Sequence, residues 1–275
     1  MLTHRILPLS LLALCCVLWS PPRAAAAETV HLIVFLENGI GTAGQAQKYV
    51  DKLIETARAK NGWAKAEGKY VTRRKSAERY VKKNKPAFGF VSLAPYLAWR
   101  KSDKLEVLGV ADVERAGGRR YHLVSKTASG LAGCKGKKVA SNHLEDPRFI
   151  DKVVSGGAFT LKDFDLVKTR RPVQTIKKVI KGDATCALVD DAQLAELRHI
   201  DGSKGVRSVW KSADLPPVAV VAFSSATSAE RAKFKASLGS LCTGANKATC
   251  DKVGIRSIKA ADESTYAQVI KSYDN

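Results

Sequence analysis

Residues 105–124 read LEVLGVADVERAGGRRYHLV. Leu105 to Val110 is a short apolar, β-branched run, the pattern of a buried strand. Gly117-Gly118 interrupts it, and Tyr121 to Val124 then resumes as a strand that can carry the chain out of one structural unit and into another.

Working outward from this break, the same grammar recurs on both sides. Upstream, Val30 to Leu36 is a buried-strand run that ends in the glycine-containing turn Glu37-Asn38-Gly39-Ile40-Gly41-Thr42. Ala46, Tyr49, Val50, Leu53, Ile54 and Ala57 then follow the i, i+3, i+4 spacing of an amphipathic helix. Tyr70 to Arg74 predicts a strand, Ser76 caps a second helix, and Ala87 to Val91 is a strand leading through Ser92 into a helix at Leu93 to Trp99. Downstream, Lys137 to Ala140, Phe164 to Lys168 and Cys186 to Val189 read as strands. Asp146-Pro147 and Pro172 open the intervening helices, and a further helix runs through Leu194 and Leu197. Val218 to Phe223 is a strand placed to return to the first unit. Thr227-x-x-Glu230 is a capping box, and Tyr266, Val269, Ile270 and Tyr273 line a final helix.

Strand–helix alternation predicts an α/β fold of mixed, mainly parallel sheets flanked by helices. The two crossings divide it into two lobes: lobe 1 from residues 28–121 and 220–275, and lobe 2 inserted as residues 122–219. Ligands of such sheets sit where strand carboxyl ends and helix N-termini face a crevice, here the space between the lobes.

Residues 1–27 read as a signal peptide. Met1 to Arg5 is basic, Ile6 to Trp19 is apolar but short of the roughly 20 residues of a membrane span, and Ala24 to Ala27 offers a cleavage site after Ala27. The expected location is therefore the periplasm, with Glu28 as the mature N-terminus. The full chain carries 46 basic and 26 acidic side chains; losing Arg5 and Arg23 leaves a mature charge of +18. So basic a chain suggests nucleic acid, but export, with neither an aromatic RNA-binding signature nor a basic tail, argues against it. Of six cysteines, Cys15 and Cys16 leave with the leader. Cys134, Cys186, Cys242 and Cys250 remain, and an oxidising compartment favours two disulfides. Cys242 and Cys250 enclose a short loop and form the natural local pair, leaving Cys134 with Cys186; buried free thiols are the alternative. No CxxC is present and the histidines are scattered, so no metal site is expected, nor a cofactor.

Three segments stand in an informative order: Ala87-Phe88-Gly89-Phe90-Val91-Ser92-Leu93-Ala94-Pro95-Tyr96, Leu131-Ala132-Gly133-Cys134-Lys135-Gly136-Lys137-Lys138-Val139-Ala140, and the helix–strand stretch from Val173 to Asp191. Together they resemble the periplasmic substrate-binding proteins of phosphate, phosphite and phosphonate ABC transporters, within the type 2 periplasmic binding protein fold. The resemblance spans essentially the whole mature chain. It implies capture of a small anionic solute and delivery to an ABC permease in the inner membrane, by a monomer. Where that family carries a loop rich in Ser, Thr and Gly, this chain has Ser141-Asn142-His143-Leu144-Glu145-Asp146, with one hydroxyl and two acids.

The candidate ligand-binding residues follow from these positions. Ser141, Asn142 and His143 lie between a strand and a capped helix. Arg170 and Arg171, after Thr169, offer guanidinium forks that match a phosphonate or carboxylate. Asp190 ends a strand and can accept from a ligand amine or protonated oxygen, while Asp191 is expected to cap the next helix. In lobe 1, Glu37, Asn38 and Gly39 form the first turn, and Ser92 stands at a helix start. Tyr121 and His122 are expected as hinge or wall residues. No nucleophile elbow, phosphate-binding loop or HExxH motif is present, so no enzyme is expected. The alternative reading is a non-transport envelope protein of the same fold, a sensor input or an adaptor for an anionic partner.

Overall fold

The computed structural model describes residues 29–39, 43–114, 116–252 and 254–275. The leader, its cleavage site and Gly41 lie outside the described residues.

The first unit begins with β1 (Thr29–Phe35), α1 (Ala43–Asn61), β2 (Lys65–Val71), α2 (Arg74–Asn84), β3 (Phe88–Val91), α3 (Leu93–Trp99) and β4 (Glu106–Val113). The chain then crosses into β5 (Tyr121–Ser125), β6 (Lys138–Ser141), α4 (Pro147–Phe149, continued by a wide turn), β7 (Asp165–Lys168), α5 (Pro172–Ile180), β8 (Cys186–Asp190), α6 (Asp191–Glu196) and β9 (Arg207–Lys211). It returns as β10 (Val218–Ala222), α7 (Ser228–Ser237), α8 (Lys247–Lys252), β11 (Ile255–Ala260) and α9 (Ala267–Asp274).

Two sheets result, ordered β11-β4-β10-β3-β1-β2 and β7-β6-β8-β5-β9. β1 pairs in parallel with β2 and β3, and β6 with β7 and β8. β10 runs antiparallel to both β3 and β4, and β5 to both β8 and β9. The reversal has a topological cause. β10 and β5 enter their sheets at the end facing the other unit, whereas β3 and β8 finish at that end. The two connecting segments are bonded to each other: Leu215 N–H donates to the Arg119 carbonyl at 2.8 Å, and Arg119 Nε to the Leu215 carbonyl at 2.8 Å.

Both faces of the first sheet are covered, which explains the unbroken apolar run through β1. Leu32 and Val34 pack on one side with Phe88, Phe90 and Phe234; Ile33 and Phe35 face the other. That second core continues across the junction through Leu123, Phe149 and Leu188 to Tyr266 and Tyr273. The expected disulfides are present. Cys134–Cys186 ties a helical turn to the start of β8, with Cα atoms 5.9 Å apart, and Cys242–Cys250 closes the local loop.

Three details differ from expectation. α2 starts at Arg74, with Arg73 rather than Ser76 at its cap, and β2 lies earlier, at Lys65–Val71. The strands β9 and β11 and the helix α8 have only weak apolar patterns, and they were not foreseen. β9 is a sheet edge with exposed residues at Arg207, Ser208 and Lys211, so burial imposes little on its composition.

Candidate functional site

A small cavity lies where the carboxyl ends of β1, β3 and β8 approach the junction. It is lined by Glu37, Asn38, Ser92, Tyr121, His143 and Asp190, with Leu93, Ala94, Ala116, Gly117, Gly118, Asp146 and Phe149 completing the wall. Its volume is about 20 Å³, room for about one water.

The lobe 1 wall is built by the turn after β1. Asn38 takes a left-handed backbone, φ 61°, a conformation asparagine tolerates well. Its N–H donates to the Thr72 carbonyl at 3.1 Å. Glu37 N–H donates to Ser92 Oγ at 3.0 Å, so the hydroxyl at the start of α3 holds the turn rather than capping its own helix. The Glu37 carboxylate receives both Nε and an Nη of Arg74, at 2.7 and 2.8 Å. Burial holds the Glu37 carboxyl above its ordinary value, against the opposing pull of Arg74. Leu93 and Ala94 supply first-turn N–H groups of α3, which have no intrahelical acceptor.

The lobe 2 wall comes from the ends of β6 and β8. Ser141 Oγ donates to the Leu188 carbonyl at 2.9 Å and accepts from His143 N–H at 3.0 Å, so its hydroxyl is spent shaping the loop. That loop sends His143 across the junction, where the Asn38 amide nitrogen donates to Nδ1 at 3.3 Å. With the Asn38 amide donating, the ring proton sits on Nε2, which is buried beside the Gln193 side chain and 3.8 Å from Asp190 Oδ2. Burial lowers the His143 pKa to about 4, so the ring is neutral at neutral pH. Asp190 Oδ1 accepts from Gln193 N–H at 2.8 Å, yet burial raises its pKa to about 7. Tyr121 stacks edge-on to His143, ring centroids 5.2 Å apart, and burial keeps its hydroxyl protonated as a donor.

Gly117 belongs to this wall for a steric reason. Its φ is +74°, and a Cβ there would stand 2.1 Å from Asp190 Oδ2. Below the cavity, Asp146 caps α4 by accepting from Phe149 N–H at 3.0 Å. Its other oxygen accepts from Tyr273 O–H at 3.0 Å and lies 3.6 Å from Arg74. Arg74, Asp146 and Tyr273 thus pin the two units and α9 together.

Of the residues expected in the site, the structure brings together Glu37, Asn38, Ser92, His143 and Asp190. Gly39 stands behind the turn, where a Cβ would meet the Leu36 carbonyl and the Tyr70 hydroxyl at 3.0 Å. Ser141 is buried beneath the loop. Asn142 points into lobe 2, its Oδ1 accepting from Thr175 Oγ1 at 2.9 Å and Gln193 Nε2 at 3.2 Å. Arg170 and Arg171 are exposed and line a different groove, on α5, because the turn before Pro172 directs them outward. The helix cap expected of Asp191 is supplied by Asp190; Asp191 instead accepts from Arg119 and Arg120 N–H, at 3.2 and 3.4 Å. Tyr121 is a wall residue, whereas His122 faces away and contacts Ser208 Oγ at 2.9 Å. Arg74, Gly117, Asp146 and Phe149 were missed as site residues. Asp146 carried a signal as a cap and Gly117 as a break, and both signals pointed to structure.

The fold is that of known binding proteins. A binding-protein component of an ABC phosphonate transporter from Pseudomonas aeruginosa superposes with TM-score 0.67 at 10% identity, over 88% of this chain and 84% of that one. PhnD1 from Prochlorococcus marinus, solved in complex with methylphosphonate, superposes with TM-score 0.66 at 8% identity, over 88% and 96%. A Xanthomonas citri protein solved with chloride gives TM-score 0.69 at 9% identity, over 90% and 96%. No curated protein matches the sequence. Residues 45–266 match the family described as the periplasmic substrate-binding protein of phosphonate ABC transporters, and this chain belongs to that family.

Proposed function

We propose that the chain captures a small phosphonate or phosphate-like oxyanion between residues 28–121 with 220–275 and residues 122–219, and presents it as a monomer to an inner-membrane ABC permease. The leader, residues 1–27, is removed after Ala27 on export. No bond is made or broken; the work is capture by lobe closure.

The observation that carries this reading is the convergence of donors from both sides on one cavity. Leu93 and Ala94 of the first α3 turn line it with Tyr121 and His143, and bring backbone N–H, hydroxyl and ring N–H groups to one wall. These are neutral donors, and they suit an oxyanion without demanding a buried countercharge. Asp190, with a pKa of about 7, is protonated for much of the time and can donate to a ligand oxygen or take its proton. The cavity is too small to admit a phosphonate as it stands, so entry requires the lobes to part, and closure rebuilds the wall around the ligand.

The test is a thermal-shift screen of residues 28–275 against phosphate, phosphite, several phosphonates, sulfate and small carboxylates. Ligand at about 100 times its dissociation constant stabilises by roughly 2.7 kcal/mol. A response to one oxyanion class supports the reading and names the ligand; a folded protein indifferent to all of them overturns it.

One observation favours a second reading, a non-transport envelope protein of the same fold. Glu37, Asp146 and Asp190 all border the cavity, no lysine or arginine is among its described lining residues, and Arg74 beside it is already held by Glu37. A permease and an ATPase encoded beside this chain would favour transport instead.

A further inference from the structure

A second feature stands apart from the cleft, on the outer surface of lobe 2. Arg170 and Arg171 precede α5, and Lys177, Lys178 and Lys181 continue the stripe at helical spacing to line one open groove. Its one acid, Asp183, is paired with Lys178 at 3.1 Å. Among the described residues, no carboxylate lies within 4.0 Å of Arg170, Arg171, Lys177 or Lys181.

The lysines at the C-terminal end of α5 suit its dipole, but two features of the stripe cost the folded chain something. Lys177 and Lys181 are like charges at i, i+4, which repel. Arg170 and Arg171 stand at the positive end of the α5 dipole, where an acid would be favoured. The packing of α5 needs none of them, since it rests on Thr175, Ile176 and Val179. An anionic partner relieves both penalties. Val173, 46% exposed, sits among these cations and is one of two large apolar side chains exposed in the described structure. No aromatic ring lines the groove, so a single-stranded nucleic acid would find nothing to stack on. Cations surrounding an exposed aliphatic side chain are the pairing that suits a charged bilayer interface.

We propose that the α5 face docks this periplasmic protein on anionic phospholipid headgroups, with Val173 seated at headgroup level. The proposal does not depend on which solute fills the cleft.

The experiment is co-sedimentation of the mature protein with phosphatidylcholine vesicles, with and without phosphatidylglycerol. Binding is expected only when phosphatidylglycerol is present, and it weakens as salt rises. Each cation near such a surface is worth about five-fold in partitioning, so Lys177→Gln with Lys181→Gln is expected to lower it about 25-fold, as is Arg170→Gln with Arg171→Gln. The exposed pair on α2, changed as Lys82→Gln with Lys83→Gln, serves as a control of equal charge and is expected to cause a far smaller loss. All three double variants alter exposed side chains, and an unchanged melting temperature verifies their folding. Equal losses from all three, or no dependence on phosphatidylglycerol, overturns the proposal. So does binding to polyglutamate, but not to vesicles, that needs Lys177 and Lys181, because the partner is then an acidic protein.

Discussion

The Asn38 side chain reaches across the cleft to His143 Nδ1 at 3.3 Å, joining two residues 105 positions apart in sequence. This bond fixes the imidazole tautomer and thereby the direction in which Nε2–H points. The same ring forms both the cavity wall and this contact, so in the proposed binding cycle closure and ligand capture would be coupled.

Asn38→Gly removes this contact and keeps the left-handed backbone at φ 61° unstrained. One hydrogen bond of this kind contributes about 0.5–1.5 kcal/mol, so ligand affinity is expected to fall roughly 2- to 13-fold. Isothermal titration with the ligand identified by the screen checks the loss. A fall in melting temperature of many degrees would show that Asn38 serves the fold instead.

Asp190 and His143 give opposite pH dependences that overlap. Asp190 titrates near 7 in the folded protein, against about 3.9 unfolded, so the folded state holds the extra proton and stability declines as pH rises from about 4 to 7. His143 titrates near 4 folded, against about 6.5 unfolded, so stability rises with pH over about 4 to 6.5. The wild-type curve is therefore expected to be nearly flat in that window. Asp190→Asn unmasks the rise and His143→Gln unmasks the decline, each by a few kcal/mol at most. Urea melts at several pH values would reveal the two slopes; parallel curves for both variants would refute the pairing.

Gly117→Ala places a methyl 2.1 Å from Asp190 Oδ2 on a backbone with φ +74°. The left-handed backbone alone costs an alanine about 1–2 kcal/mol, and the clash adds to it. In an Asp190→Ala background the steric part is expected to vanish and the backbone part to remain. A double-mutant cycle by urea denaturation separates them.

Replacing Cys134 and Cys186 together by serine frees a loop spanning 52 positions, and in the chain-entropy picture it costs about 4 kcal/mol. The Cys242–Cys250 loop spans 8, and its loss is expected to cost about 2.5 kcal/mol. Chemical denaturation of the two serine variants ranks them; a larger loss from the shorter loop would contradict this account.

Much of the fold could be read along the chain because the first sheet is buried on both faces. The runs at Leu32 to Leu36 and Val218 to Ala222 are therefore almost wholly apolar and bounded by turns. The crossing at Gly117-Gly118 was legible as a break, and so was the capping box at Thr227. The site was half legible. Residues at strand ends, such as Glu37, His143 and Asp190, could be placed by topology alone. Side-chain direction could not. Whether Asn142 turns inward to Thr175 and Gln193 or outward to the cleft depends on a one-residue step in the loop after β6. Arg170 and Arg171 had the right chemistry at the right strand end, but the extended turn before Pro172 sends them to the outer surface. Arg74, Asp146 and Tyr273 meet only because α2, α4 and α9 converge, a long-range fact that no local pattern records.

The two connections between the sheets lie side by side, bonded to each other through Arg119 and Leu215. A single tether would let one half swivel freely against the other. Two tethers joined along their length act as a strap hinge, which bends about one axis and resists torsion. In the proposed cycle, opening then reduces to one mechanical coordinate, and a single dye pair placed across the gap is expected to follow the whole motion.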